Sequence, residues 1–145
     1  MFAKLIHKEK MVFESILGSH KITMDAKPPF GADSAPTPKQ LLQAAISGCT
    51  AMDVVSLLKK HKQTFASLEI DSEASLTDGH PSVFKEVVLT YKITGDVHID
   101  IAKEAVHLSL TKYCSVSAMI SKACPILYKI ELNGTLVAEG QAQFA

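Results

Sequence analysis

The chain has 145 residues and carries fifteen basic against fifteen acidic side chains, so no net field draws it toward nucleic acid or an anionic membrane surface. Its composition, 47% hydrophobic and 21% charged, excludes a disordered polymer and suits a folded chain of one domain's length, expected over residues 1–145. The opening residues Met1-Phe2-Ala3-Lys4-Leu5 lead into no signal-like apolar run, and the expected residence is the cytoplasm, without a membrane span.

The first third reads as three strands, over 3–7, 11–17 and 20–26, with Gly18-Ser19 as a hairpin turn. A loop over 27–37, rich in proline and glycine, ends in a helix-start signal, Thr37 as N-cap and Pro38 at the first helical position. A long helix follows to about Lys62, with Leu41, Ala45, Gly48, Cys49, Met52, Val55 and Ser56 as its seam and further apolar groups on other faces. A helix apolar on most sides needs cover on more than one, so a sheet of about five strands is expected on one side and, on the other, the later helices or, the favoured alternative, a second copy of the chain.

Two strands, over 67–76 and 83–94, flank a turn at Asp78-Gly79-His80-Pro81. Asp100 is expected to cap a helix to about Tyr113, and a shorter helix covers 115–123. Strands over 126–132 and 135–139 enclose Asn133-Gly134, the strongest short hairpin signal. The order is βββ, α, ββ, αα, ββ, an α+β pattern with a mostly antiparallel sheet around a central helix.

Chemistry concentrates in the cysteines. Cys49 lies mid-helix in Ser47-Gly48-Cys49-Thr50-Ala51-Met52-Asp53, where a free cysteine also serves as a small hydrophobe. Gly48 is unfavourable in a helix interior and predicts close approach of another group. Asp53, one turn on, is placed to hold a cation or raise the thiol pKa. Cys114 precedes the second late helix, where orphan N–H groups favour an anion, and by this local argument it is the more activated thiol. Cys124 ends that helix and reads as structural.

No two histidines, and no histidine and cysteine, stand at metal-ligand spacing, and no Cys-x-x-Cys occurs; neither a metal nor a cofactor is expected. Basic residues lack the interleaved aromatics of a nucleic-acid platform. All fifteen basic side chains are lysine.

The segments Thr37-Pro38-Lys39-Gln40-Leu41-Leu42, Gly48-Cys49-Thr50-Ala51-Met52-Asp53-Val54-Val55-Ser56 and Lys112-Tyr113-Cys114-Ser115-Val116-Ser117 resemble the OsmC/Ohr family, and in detail its YhfA-type branch. The resemblance implies an intertwined α+β homodimer with sites at the interface, acting on organic hydroperoxides. It assigns Cys49 as the attacking thiol, Cys114 as the partner that closes a disulfide, and a dithiol as reductant.

The hydroperoxide reductases of the family activate the first cysteine with an arginine and a glutamate. This chain has no arginine, and Lys39 stands where that glutamate would be. Lys39, Asp53 and His20 are candidate replacements, each also readable as a solvated or structural group. Two other readings stay open: a non-catalytic dimer binding a small hydrophobic ligand, and a redox sensor that forms the disulfide without turnover.

Overall fold

A computed structural model describes residues 1–144. The elements follow the predicted order: β1 (Lys4–Glu9), β2 (Val12–Leu17), β3 (His20–Met24), α1 (Pro38–Lys60), β4 (Thr64–Leu76), β5 (Phe84–Asp96), α2 (Ile99–Leu108), α3 (Ser115–Ile120), β6 (Ile126–Leu132) and β7 (Thr135–Gln141). A π-helical turn at Ser109–Tyr113 joins α2 to α3. Instead of one sheet of about five strands there are two, of three and four. The chain divides into two compact units, Met1–Leu42 and Gln43–Ala145.

In the first unit β1, β2 and β3 pair antiparallel as a meander. The loop after β3 is organised by the carboxylate of Asp25, which is buried. It accepts hydrogen bonds from the N–H of Ala26 at 2.7 Å, of Ala32 at 3.2 Å and of Ser34 at 3.0 Å, and from the Ser34 hydroxyl at 2.7 Å. Those donors, Ser34 foremost, hold the Asp25 carboxyl down at about 2. Gly31 is required here: a Cβ would fall 2.1 Å from the Ala26 carbonyl oxygen. The loop delivers the chain to a capping box, in which Gln40 N–H donates to Thr37 Oγ1 at 3.4 Å and Thr37 N–H donates to Gln40 Oε1 at 2.9 Å.

In the second unit the sheet order is β4-β5-β6-β7, antiparallel except for the β5–β6 pair. A parallel pair needs a long crossover, and α2, the π turn and α3 supply it. Along β5, Val87, Leu89, Tyr91 and Ile93 are fully buried at a period of two. They pack in one core with Ile46, Val54 and Leu58 of α1, Ala102 and Val106 of α2, and Ile126 and Ile130 of β6. Each such aliphatic side chain contributes about 1.5–3 kcal/mol by leaving water. Asn133 and Gly134 turn the last hairpin with φ of 49° and 80°, both left-handed as a type I′ turn requires.

Three expectations about the helices are corrected. The buried residues of α1 are Ile46, Thr50, Val54, Leu57 and Leu58, not the predicted seam. That seam of Ala45, Gly48, Cys49, Met52 and Ser56 is the open side, with Met52 76% exposed. Bulk decides it: isoleucine, valine and leucine fill the core better than glycine, alanine and serine. A Cβ on Gly48 would meet nothing within 4 Å among the described residues, so the expected close approach is not made within its own unit. Finally, His98 and not Asp100 occupies the N-cap of α2; its N–H is taken by Gln63 Oε1 at 2.7 Å, which leaves Asp100 in the first turn beside the positive end of the helix.

Candidate functional site

Two helices and the turn between α2 and α3 bring chemistry together in the second unit. Helix α1 presents Cys49 at the edge of its open face, half-buried. The π turn ends at Cys114, whose backbone N–H donates to the Ser109 carbonyl at 2.9 Å. Cys114 is the N-cap of α3 and is fully buried, its sulfur accepting the Ser117 N–H at 3.4 Å. Cys49 is near enough to the Cys114 thiol to disfavour its ionisation. Cys49 Sγ also lies 4.0 Å from Ser115 Oγ.

The prediction that a helix start makes Cys114 the readier thiolate is corrected. Burial pushes its thiol up to about 11, against the opposing pull of the Ser117 hydroxyl and N–H; Cys49 raises it further. Removing the sulfur from water outweighs the Ser117 N–H bond and the first amides of a short helix. Cys124 is buried too, and its thiol is pushed up for the same reason.

Beneath the thiols runs a polar chain that no sequence motif announced. Thr50 Oγ1 lies 2.7 Å from Tyr91 Oη and 2.7 Å from Ser109 Oγ, and Ser109 Oγ donates to Asp53 Oδ2 at 2.9 Å. Thr50, Tyr91 and Ser109 have no solvent exposure. Because the chain ends on a carboxylate, its protons run one way: Tyr91 donates to Thr50, Thr50 to Ser109, and Ser109 to Asp53. Burial raises the Tyr91 phenol far above its ordinary range, so it stays a donor. The chain fixes the π turn against α1 and thereby sets Cys114 beside Cys49. Asp53, expected near Cys49 as a charge, is the anchor of this chain. The one available signal was the alternation of β5, which turns Tyr91 inward and obliges its hydroxyl to find a partner.

Residues 31–129 match the OsmC family of OsmC-like proteins. The chain belongs to the OsmC family. Protein YhfA of Escherichia coli (strain K12) is 35% identical over 114 residues, which cover 78% of this chain and 83% of YhfA. A hypothetical protein from Aquifex aeolicus VF5 has the same fold with a TM-score of 0.79 and 26% identity, over 91% of this chain and 96% of its own. An organic hydroperoxide resistance protein OsmC from Legionella pneumophila shares the fold with a TM-score of 0.66 and 24% identity, over 90% of this chain and 94% of its own.

Lys39 is exposed in the first turn of α1, and His20 is exposed at the start of β3, opposite Leu17. Both belong to the first unit. Lys39 lines an open cavity of about 610 Å³ there, whose other walls include Leu5, Met11, Phe13, Met24 and Phe30. No cluster of three or more His, Cys, Asp or Glu side chains suited to a metal ion occurs among the described residues. Helix α1 is long and apolar enough to cross a bilayer by length and composition. Its buried face is built into the core of the second unit and carries the Thr50 hydrogen bonds.

Proposed function

We propose that this OsmC-family chain is a cysteine-based redox protein that reduces organic hydroperoxides through a transient Cys49–Cys114 disulfide. The observation that carries the reading is a half-buried thiol, Cys49, 4.0 Å from the hydroxyl of Ser115, the residue that follows the fully buried Cys114. Family membership supports a redox-related role, and the fold shared with organic hydroperoxide resistance proteins supports the substrate class.

In the first step the Cys49 sulfur attacks the terminal oxygen of the hydroperoxide. The O–O bond breaks, the sulfur becomes a sulfenic acid, and the alkoxide leaves as the alcohol with the thiol proton. The Cys114 sulfur then attacks the sulfenic sulfur. An S–S bond forms, the S–O bond breaks, and the hydroxide leaves as water with the Cys114 proton. A dithiol reduces the disulfide by two exchanges and is itself oxidised. The half-buried position of Cys49 favours it for the first step, and the dry surroundings of Cys114 suit a thiol that reacts only inside the protein.

The open side of α1, with Ala45, Gly48 and Met52, supports a homodimer in which a second copy covers that face and closes the site. Residence in the cytoplasm fits a thiol pair that must return to the reduced state.

Consumption of cumene hydroperoxide in the presence of a dithiol tests the proposal. Wild type is expected to turn over, Cys49→Ser to lose all turnover, and Cys114→Ser to oxidise once and stall. Equal slow loss of peroxide with wild type and Cys49→Ser would sink the catalytic reading. A ligand-binding reading draws on the cavity of the first unit, whose apolar walls and Lys39 ammonium suit a small hydrophobic acid. A protein without peroxide turnover that binds a medium-chain fatty acid, with affinity lost in Lys39→Glu, would favour that reading instead.

A further inference from the structure

Ser117 has no role in the steps above. Its side chain is fully buried in the first turn of α3, and its Oγ has no hydrogen-bond partner among the described residues. A buried hydroxyl without a partner is uncommon and costly, so its retention calls for an explanation. The same residue already donates its backbone N–H to Cys114 Sγ at 3.4 Å, and its side chain is near enough to favour the thiolate. In the resting thiol, sulfur is a poor acceptor, and the hydroxyl forms no bond to it. A thiolate is a strong acceptor, and Ser117 Oγ–H is a buried donor free to answer it.

We infer that Ser117 is a positioning residue for Cys114. Its hydroxyl turns to the sulfur as the thiolate forms, and with its own N–H it supplies the donors that water cannot supply in that pocket. The inference rests on the reading of Cys114 as the thiol that attacks an oxidised Cys49. In that attack the donors hold the Cys114 sulfur as an anion on the line to Cys49 until the S–S bond forms and the charge leaves with the departing group. The side-chain contribution of Ser117 to the ionisation of Cys114 has the required sign, favouring the thiolate.

The attack can be observed without peroxide. The full-length protein carrying Cys124→Ala is mixed with dithiobis(nitrobenzoate), a chromogenic aryl disulfide. The half-buried Cys49 takes one nitrothiobenzoate and releases another. Cys114 then displaces the bound one, forming the Cys49–Cys114 bond and releasing a second coloured thiolate. Two phases of release are expected. Ser117→Ala is expected to leave the first phase unchanged and slow the second on the order of tenfold at fixed pH, while Ser117→Thr restores it.

Rescue by threonine separates a lost hydroxyl from a disturbed fold, and equal thermal midpoints of the three proteins check the same point. A second phase as fast in Ser117→Ala as in wild type overturns the inference and leaves the disulfide intact as a reading. A wild-type protein that releases no second equivalent overturns the pairing of the two cysteines, and the inference with it.

Discussion

With the Cys114 thiol pushed up to about 11, roughly one molecule in ten thousand carries the thiolate at pH 7. Closure of the disulfide therefore depends on a rare species whose population rises tenfold for each pH unit below that value. The rate of the closing step, followed in rapid-mixing experiments on pre-oxidised Cys49, is expected to climb about tenfold per unit from pH 7 to pH 10. A plateau beginning near pH 8 would mean that Cys114 titrates as an ordinary thiol. Asp25 gives the opposite sign. Its folded carboxyl, near 2, lies below its unfolded value of 3.8, so its stabilisation is complete above 3.8 and disappears as pH falls through about 2. Thermal midpoints measured between pH 5 and pH 2 are expected to fall less in Asp25→Asn than in wild type, from a lower start.

The π turn at Ser109–Tyr113 owes its position to the chain of hydroxyls from Tyr91 through Thr50 and Ser109 to Asp53. Thr50→Val cuts that chain in the middle, strands the buried Tyr91 hydroxyl and leaves Ser109 Oγ only its bond to Asp53, which costs about 1–3 kcal/mol; Tyr91→Phe removes only its end and costs about 1 kcal/mol. Urea unfolding distinguishes the two, with the larger loss expected for Thr50→Val. Strand β5 was legible because Val87, Leu89, Tyr91 and Ile93 alternate, and the last hairpin because Asn133-Gly134 supports left-handed φ at both positions. Cys49 and Cys114 were legible from their motifs, whereas the π turn was not, since a one-residue expansion leaves the apolar period almost intact. The buried face of α1 was misread because nearly every face is apolar, and periodicity cannot rank faces that differ in side-chain volume alone. The ionisation of Cys114 was misread for a related reason: a helix start is visible in sequence, but the depth at which it lies is not.

The open side of α1 links the two halves of the proposal, since the face that carries Cys49 is the one left for a second copy of the chain to cover. Met52 stands on that face and is 76% exposed. Met52→Glu would place a charge in the proposed interface, and sedimentation equilibrium is expected to show association weakened at least about tenfold. Peroxide turnover should fall with it if the proposed dimer closes the sites. The absence of arginine from the whole chain sets an upper bound of another kind. Without a guanidinium fork to orient the peroxide, the first oxidation is expected to be slow, while the capacity to form the disulfide is untouched. Intact-mass and peptide analysis after one equivalent of organic hydroperoxide tests the thiol pair most directly. The expected product has lost two hydrogens, carries a Cys49–Cys114 cross-link, and returns to its original mass with a dithiol. Oxygen added at single cysteines with no cross-link, or a cross-link that engages Cys124 instead, would contradict the account.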